Sequence, residues 1–444
     1  MSKKKYSVIS QNRIAGFNKI LKVDSDKSIS IRTLLISSIS QGISKIDNIL
    51  ESEDIFSTIE CLRKLGVKIK KIKKSYFVYG KGFGSFAIKN NAVLNCGNSG
   101  TLTRLLIGIL STTPGLKVNI TGDKSLKKRD MTKLIDLMSK FGASFSKKKS
   151  YLPFQITSSS MPLGIKYKSG ISAQLKSAVI LAGLNSFGTT NILENESNKS
   201  RNHTENLLLN NSGVLSIKKN EIKVFGKKAL DPFNISVPGD PSSAAFFCAL
   251  ALFTENSNLK IKNICLNSRR LGFYKLLKRH GAKIVFTNIK RRFNETIGDI
   301  HVKSSKISPI KAGSYYYPST ADEYVILSVC AAMIPGISVF KGISDLSNKE
   351  SSRALEMKKI LKQIGIKCIL TKSEMRIFGS NEIKVKKKYI VLKNLLDHRI
   401  CMATVCLSLL TGVKSFVKNF ETVETSSPSF LKIIKLIGGK YEVR

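Results

Sequence analysis

The chain predicts an α/β protein of two domains, each built from three copies of one strand-and-helix unit, and three observations carry that expectation. Six junctions of strand, polar turn and apolar helix recur at Lys27, Gly100, Ser172, Ser242, Asp322 and His398, and regular spacing of this kind marks a repeated supersecondary unit. Between them lie alternating β-rich pieces, YFVYGKG, EIKVFGK and EMRIFGS, each closed by a glycine as a hairpin turn would be. The third observation is an internal duplication. Val23/Asp26/Ser28 and Val237/Asp240/Ser242 repeat a Val-x-x-Asp-x-Ser core ahead of a helix.

The duplicated segments put the hinge near residues 22–24 and 236–239, so residues 1–22 with 238–444 form one domain and 23–237 the other. The N-terminal strand is then expected to return to the first of these. Taken in order, the first junction reads ILKVDSDKSISIRTLLISSIS, a short strand and polar turn before a helix opened by Lys27 and Ser28. The second, NCGNSGTLTRLL, joins a glycine-rich turn at Gly97 and Gly100 to a helix for which Ser99 and Thr101 are capping types. Leu102, Leu105, Leu106, Ile109 and Leu110 then predict one buried face. Its open N-terminus offers N–H groups and a positive dipole end to an anion. Leu175/Ala178/Val179/Ala182, Phe246/Ala249/Leu250/Phe253 and Met402/Val405/Cys406/Leu409 give the later helices similar apolar faces. Gly80, Gly82 and Gly84 have the spacing of a dinucleotide loop, but no helix follows, so they read as a turn.

Net charge is +44, from 74 Lys+Arg against 30 Asp+Glu, which on its face suggests nucleic acid or an anionic membrane. The lysines are instead spread along the chain in short clusters such as Lys70–Lys74 and Lys147–Lys149 without interleaved aromatics, as solvated faces are. Neither a secretory h-region nor an apolar run long enough to span a bilayer stands out, and the expected location is the cytoplasm. Eight cysteines without C-x-x-C spacing read as reduced core thiols, and His203, His280, His301 and His398 lack metal-ligand spacing, so no metal is expected.

The polar residues at the helix starts share a chemical theme. Lys27, Arg32, Arg104, Arg129, Lys176, Arg201, Lys349, Arg353 and Arg399 are cationic, Ser28, Ser172 and Gln174 are neutral donors, and Asp322 and Glu350 bring negative charge. Arginine forks bind carboxylate and phosphate in bidentate fashion, so the set suits a polyanionic substrate pair, with two carboxylates left for proton transfer.

DKSISIR, NCGNSGTLTRLL, GDKSLKKRDM, SAQLKSA, PGDPSSAAFF, DEYVILSV, KESSR and DHRICMA, in that order, resemble the 5-enolpyruvylshikimate-3-phosphate synthase family over nearly the whole chain. The resemblance implies a two-domain inside-out α/β barrel of six βαβαββ repeats, three per domain. It implies a transferase of the shikimate pathway and aromatic amino acid biosynthesis, moving the enolpyruvyl group of phosphoenolpyruvate to the 5-hydroxyl of shikimate 3-phosphate through a tetrahedral intermediate. It also implies no cofactor, no nucleic-acid or membrane partner, and a monomer. By the same resemblance Lys27, Asp322 and Glu350 are catalytic. Shikimate 3-phosphate is expected on Lys27, Ser28, Arg32, Ser172, Ala173, Gln174, Arg201, Asp322 and Lys349. Phosphoenolpyruvate is expected on Lys27, Asn98, Gly100, Arg129, Gln174, Arg353 and Arg399. From spacing alone, Lys349 lies one helical turn from Arg353, so both cations can face one ligand. Gly100 leaves room for a bulkier analogue and implies sensitivity to glyphosate, although SAQLKSAVILAGLN and SRNHTE resemble the branch that often tolerates it.

Several positions depart from the family pattern. Ile31 replaces His or Asn, Asp24-Ser25 a Pro-Gly pair, Asp130 a proline, Ser352 an aspartate and Ser427 a phenylalanine. Ser352 bears most on chemistry, because an acid there could orient Arg353, and Glu356 is the expected substitute. Two rival readings stand beside the family. UDP-N-acetylglucosamine enolpyruvyl transferase typically has Lys-Asn where Lys27-Ser28 stands and a loop cysteine that Lys117–Met131 lacks. A non-enzymatic polyanion binder would show strongly salt-dependent binding.

Overall fold

The computed structural model describes residues 5–88, 92–146, 150–196, 199–380, 389–393 and 395–444. The Lys147–Lys149 cluster lies outside them. The chain divides into two compact units, one of Met1–Asp24, Pro238–Lys290 and Thr296–Arg444, the other of Ser25–Val237 and Arg291–Glu295.

Among the described residues each unit holds three four-stranded sheets of one plan, an edge strand parallel to its neighbour followed by two antiparallel pairings. In the Ser25–Val237 unit one sheet runs Asn234–Ser236, Gln41–Asp47, Ser75–Lys81, Lys68–Ile72. The strands Val93–Asn95, Lys117–Thr121, Phe154–Thr157 and Ser144–Phe145 form the second, and Lys166–Ser169, Thr189–Glu194, Glu221–Phe225 and Leu215–Lys218 the third. The other unit repeats the plan, with two strands from the start of the chain built into its sheets. Asn18–Leu21 is the parallel edge beside Asn258–Cys265, and Val8–Ser10 lies antiparallel between Lys414–Val417 and Tyr441–Val443.

The junction helices Lys27–Ile39, Gly100–Ser111, Ala173–Leu184, Pro241–Phe253, Tyr324–Ala332 and His398–Thr411 form the cores of the units. The expected single buried face is corrected here. From Lys176 to Leu184 every residue of its helix is buried, and so is nearly every residue of Gly100–Ser111. A helix buried all round must satisfy its own hydroxyls. Thr103 and Ser111 do so by donating to the carbonyls of Ser99 and Ile107, at 2.7 Å each, one turn back.

The glycines that close the β-rich pieces are not hairpin turns. A β-carbon on Gly80 would lie 2.4 Å from the Ser37 carbonyl oxygen, one on Gly226 1.8 Å from that of Ser186, and one on Gly379 2.1 Å from that of Ala331. In three repeats, therefore, a strand end runs directly against the C-terminal carbonyls of the junction helix, where only glycine fits.

A second feature absent from the sequence reading is the segment Arg291–Glu295, which belongs with the Ser25–Val237 unit. Glu295 Oε1 lies 2.7 Å from His203 Nδ1, Asn294 donates to the Asn206 carbonyl at 3.3 Å, and Phe293 packs 6.0 Å from Phe233. RRFNE is the turn between the strands Lys283–Arg292 and Glu295–Lys303, with both arginines exposed, and only its tertiary partners show that Phe293, Asn294 and Glu295 are held.

Candidate functional site

In the Ser25–Val237 unit most of the site residues stand at three helix starts, with Arg129 and Arg201 in loops outside them. Asp26 caps Lys27–Ile39 by accepting from the Ile29 N–H at 2.8 Å, Ser99 caps Gly100–Ser111 through Leu102, and Ser172 caps Ala173–Leu184 through Leu175. Thr101 instead accepts from Gln174 Nε2 at 2.9 Å, while Gln174 Oε1 accepts from Arg104 at 2.8 Å. Two of the three junction helices are thus cross-linked at their N-termini.

Lys27 Nζ lies 3.2 Å from the buried carboxylate of Asp54. Arg32 is buried, donating to the Ser28 carbonyl at 2.9 Å, Thr204 Oγ1 at 2.9 Å and Ser177 Oγ at 3.0 Å. Asn98 accepts from Arg129 Nη2 at 2.6 Å and donates to Asp123 at 2.8 Å, so one asparagine fixes both the arginine and the loop. A β-carbon on Gly100 would lie 2.6 Å from Arg129 Nη1 and 2.8 Å from Arg104 Nη1, so a larger residue here would displace both guanidinium groups. Ala173 opens the third helix, and Arg201 is half-buried just before the helix His203–Leu208. Lys176 departs from the expected cationic set. It is fully buried, with Nζ 2.6 Å from both Glu194 and Glu205.

In the other unit Arg353 is the hub. Its Nε donates to Asp397 Oδ2 at 2.9 Å, its Nη2 to Glu350 at 2.6 Å, and Nη1 stands 3.6 Å from Asp322. Burial disfavours the charge, but Asp397, Glu350 and Asp322 outweigh it and hold the guanidinium above its ordinary pKa. Arg399 reaches the other Asp322 oxygen at 3.7 Å, so Asp322, partly exposed, bridges two arginines. Lys349 pairs with Asp345 at 2.7 Å, and Asp345 also accepts from the Tyr317 hydroxyl at 2.9 Å. The expectation that Lys349 and Arg353 share a ligand therefore meets a structure in which each is held by its own carboxylates.

The model of the family described as EPSP synthase (3-phosphoshikimate 1-carboxyvinyltransferase) matches residues 12–434. The chain belongs to the EPSP synthase family. It is 36% identical over 430 residues to the 3-phosphoshikimate 1-carboxyvinyltransferase of Zymomonas mobilis, covering 95% of this chain and 94% of that one. With that of Petrotoga mobilis it shares 37% identity, with 95% and 97% covered. A solved EPSP synthase from Acinetobacter baumannii superposes with a TM-score of 0.85 at 32% identity, covering 99% of this chain and all of that one. The two-domain α/β fold expected of the family is thus the fold of this chain.

Four carboxylates that hold site residues escaped the sequence reading: Asp54 on Lys27, Asp123 on Asn98, Asp345 on Lys349 and Asp397 on Arg353. Asp397 stood in plain sight in the DHRICMA motif, where an aspartate before a helix has the N-cap signature. It also caps His398–Thr411 by accepting from the Arg399 N–H at 3.1 Å. Arg353 is held by Asp397 at 2.9 Å, whereas Glu356, the expected substitute for an acid at Ser352, pairs with Lys359 at 2.8 Å.

Other departures from the family pattern also find partners. Asp24 Oδ2 accepts from Ser427 Oγ at 2.9 Å and from the Ser429 hydroxyl and N–H at 2.7 and 3.1 Å, so two unusual residues complement one another. Burial raises the Asp24 pKa, and the serine hydrogen bonds oppose the shift. Asp130 accepts from the Thr132 hydroxyl and, at 2.8 Å, from the Thr132 N–H ahead of the helix Thr132–Lys140, which together lower its pKa. Ile31 is simply core.

Proposed function

We propose that the chain carries out its family's reaction with Lys27, Asp322 and Glu350 in the proton-transfer and charge-stabilising roles. Lys27 stabilises charge developing around the attacking hydroxyl and the phosphoenolpyruvate phosphate. Its pairing with Asp54 supports this role, because the carboxylate holds the ammonium in place. Ser28, Arg32, Ser172, Ala173, Gln174, Arg201 and Lys349 bind shikimate 3-phosphate. Asn98, Gly100, Arg129, Gln174, Arg353 and Arg399 bind phosphoenolpyruvate.

The observation that carries this reading is the Arg353 hub. Two carboxylates, Asp322 and Glu350, meet one buried guanidinium that Asp397 anchors from behind. Addition–elimination on phosphoenolpyruvate needs a base for the hydroxyl proton, an acid for the methylene carbon and a cation for the departing phosphate. Asp322 is assigned as the base, Glu350 as the methylene acid and Arg353 with Arg399 as the clamp. The reaction forms one C–O bond to C2 and one C–H bond at the methylene. The proton is then lost from that carbon and the C–O bond to phosphate breaks.

A monomer in the cytoplasm accords with eight unpaired thiols, seven of them buried. No described helix is long and apolar enough to cross a membrane. The test is Glu350→Gln, with turnover and solvent deuterium incorporation into the phosphoenolpyruvate methylene both measured. Loss of about 10²–10⁴-fold in both, with shikimate 3-phosphate affinity retained, is expected of a general acid. A kcat within about threefold of the parent would remove Glu350 from that role.

A further inference from the structure

We propose that Lys176 is a positioning residue for shikimate 3-phosphate, the tether that joins the elements carrying most of the residues assigned to that substrate. The inference rests on the proposed function only in naming the ligand. Lys176 has no exposed surface, and its Nζ is shared among Glu194 Oε1 at 2.6 Å, Glu205 Oε1 at 2.6 Å and the Ser200 carbonyl at 3.3 Å.

These contacts join four pieces of chain. Lys176 lies on the first turn of Ala173–Leu184, its N–H donating to the Ser172 carbonyl at 3.2 Å, so it is rigidly linked to Ser172, Ala173 and Gln174. Glu194 ends the strand Thr189–Glu194, and Ser200 immediately precedes Arg201. Glu205 lies on the helix His203–Leu208.

The residues next to this ion pair make the link to Arg32. Thr204 donates to Ser177 Oγ at 2.8 Å, and Arg32 donates to both of those hydroxyls. Residues 176–177 and 204–205 therefore form a two-rung contact, one rung ionic and the other hydroxylic. The Arg32 guanidinium rests on the second rung. A shift of the short helix His203–Leu208 would move the Thr204 anchor of Arg32 and the adjoining Arg201 together. A six-residue helix has little stability of its own, so its seat must come from such tertiary contacts.

The primary variant is Glu205→Gln, which keeps the shape and removes one ionic arm. Lys176→Met strands two buried carboxylates and can fail to fold, so Lys176→Arg accompanies it as the charge-conserving control. Steady-state kinetics and calorimetry with shikimate 3-phosphate are run alongside amide hydrogen exchange. Glu205→Gln is expected to weaken shikimate 3-phosphate by about tenfold or more, as misplaced substrate-positioning groups do. The KM for phosphoenolpyruvate and kcat should change far less, and amides of residues 199–206 should exchange faster while those of Gly100–Ser111 do not. Lys176→Arg should stay closer to the parent than Lys176→Met.

A folded Glu205→Gln protein with unchanged shikimate 3-phosphate affinity overturns the proposal, and so does equal weakening of both substrates. If the parent protein binds no shikimate 3-phosphate at all, it is the substrate assignment that fails. Exchange across 199–206 then decides whether the tether exists.

Discussion

Replacing Asp397 by Asn tests how Arg353 is held, and its cost follows from the contacts. Removing one partner of a buried ion pair costs about 3–5 kcal/mol when the other charge is stranded. Here Glu350 at 2.6 Å and Asp322 at 3.6 Å stay on the same guanidinium. The expected loss is therefore smaller, about 2–3 kcal/mol. Asparagine retains the cap on His398–Thr411, so Asp397→Ala should cost about 1 kcal/mol more. Urea unfolding of both variants measures these differences. Without its anchor the guanidinium turns toward Glu350 and Asp322, so the KM for phosphoenolpyruvate should rise by about tenfold, the value of one lost charge-assisted hydrogen bond. A loss under about 1 kcal/mol together with an unchanged KM would refute the claim that Asp397 orients Arg353. By the same reasoning Ser352→Asp should leave both KM values unaltered, because Asp397 and Glu350 already hold the Arg353 guanidinium.

Three further outcomes follow. Gly100→Ala puts a methyl within 2.6–2.8 Å of two guanidinium groups. Both must move, so steady-state assays should show the phosphoenolpyruvate KM rising by roughly tenfold and inhibition by glyphosate weakening more; inhibition unchanged by the methyl would count against that expectation. Asp24 has a raised folded-state pKa, so its contribution to stability is present below the ordinary carboxylate pKa and lost as pH rises through the folded value. The thermal midpoint of Asp24→Asn relative to the parent should accordingly climb with pH from about 4 and then level off, and a pH-independent difference would contradict this. Gly226→Ala drives a β-carbon into the Ser186 carbonyl and should destabilise the unit by about 1–3 kcal/mol or more, the scale of overpacked cores, in a denaturant titration.

The junction helices were legible because each couples a capping residue to an apolar run, as in Ser172 ahead of LKSAVILAGL and Asp397 ahead of HRICMATVCLSLL. Burial on all sides was not, since helical periodicity marks one face and cannot report what covers the other. Gly80, Gly226 and Gly379 were located correctly and misread physically, because a turn glycine and a glycine pressed against a helix end look alike in sequence. Lys176 was grouped with the ligand-binding cations because it adjoins Ser172-Ala173-Gln174, yet its partners Glu194 and Glu205 are 18 and 29 residues away, a distance no local pattern bridges. Asp54, Asp123 and the segment Arg291–Glu295 were missed for the same reason: their roles reside in tertiary contacts.

The most direct test of the whole account is phosphate release by the purified chain from phosphoenolpyruvate, once with shikimate 3-phosphate and once with UDP-N-acetylglucosamine. The account predicts release with the shikimate ester alone and its loss in Lys27→Met. Release with the sugar nucleotide instead, or with neither acceptor, would contradict it.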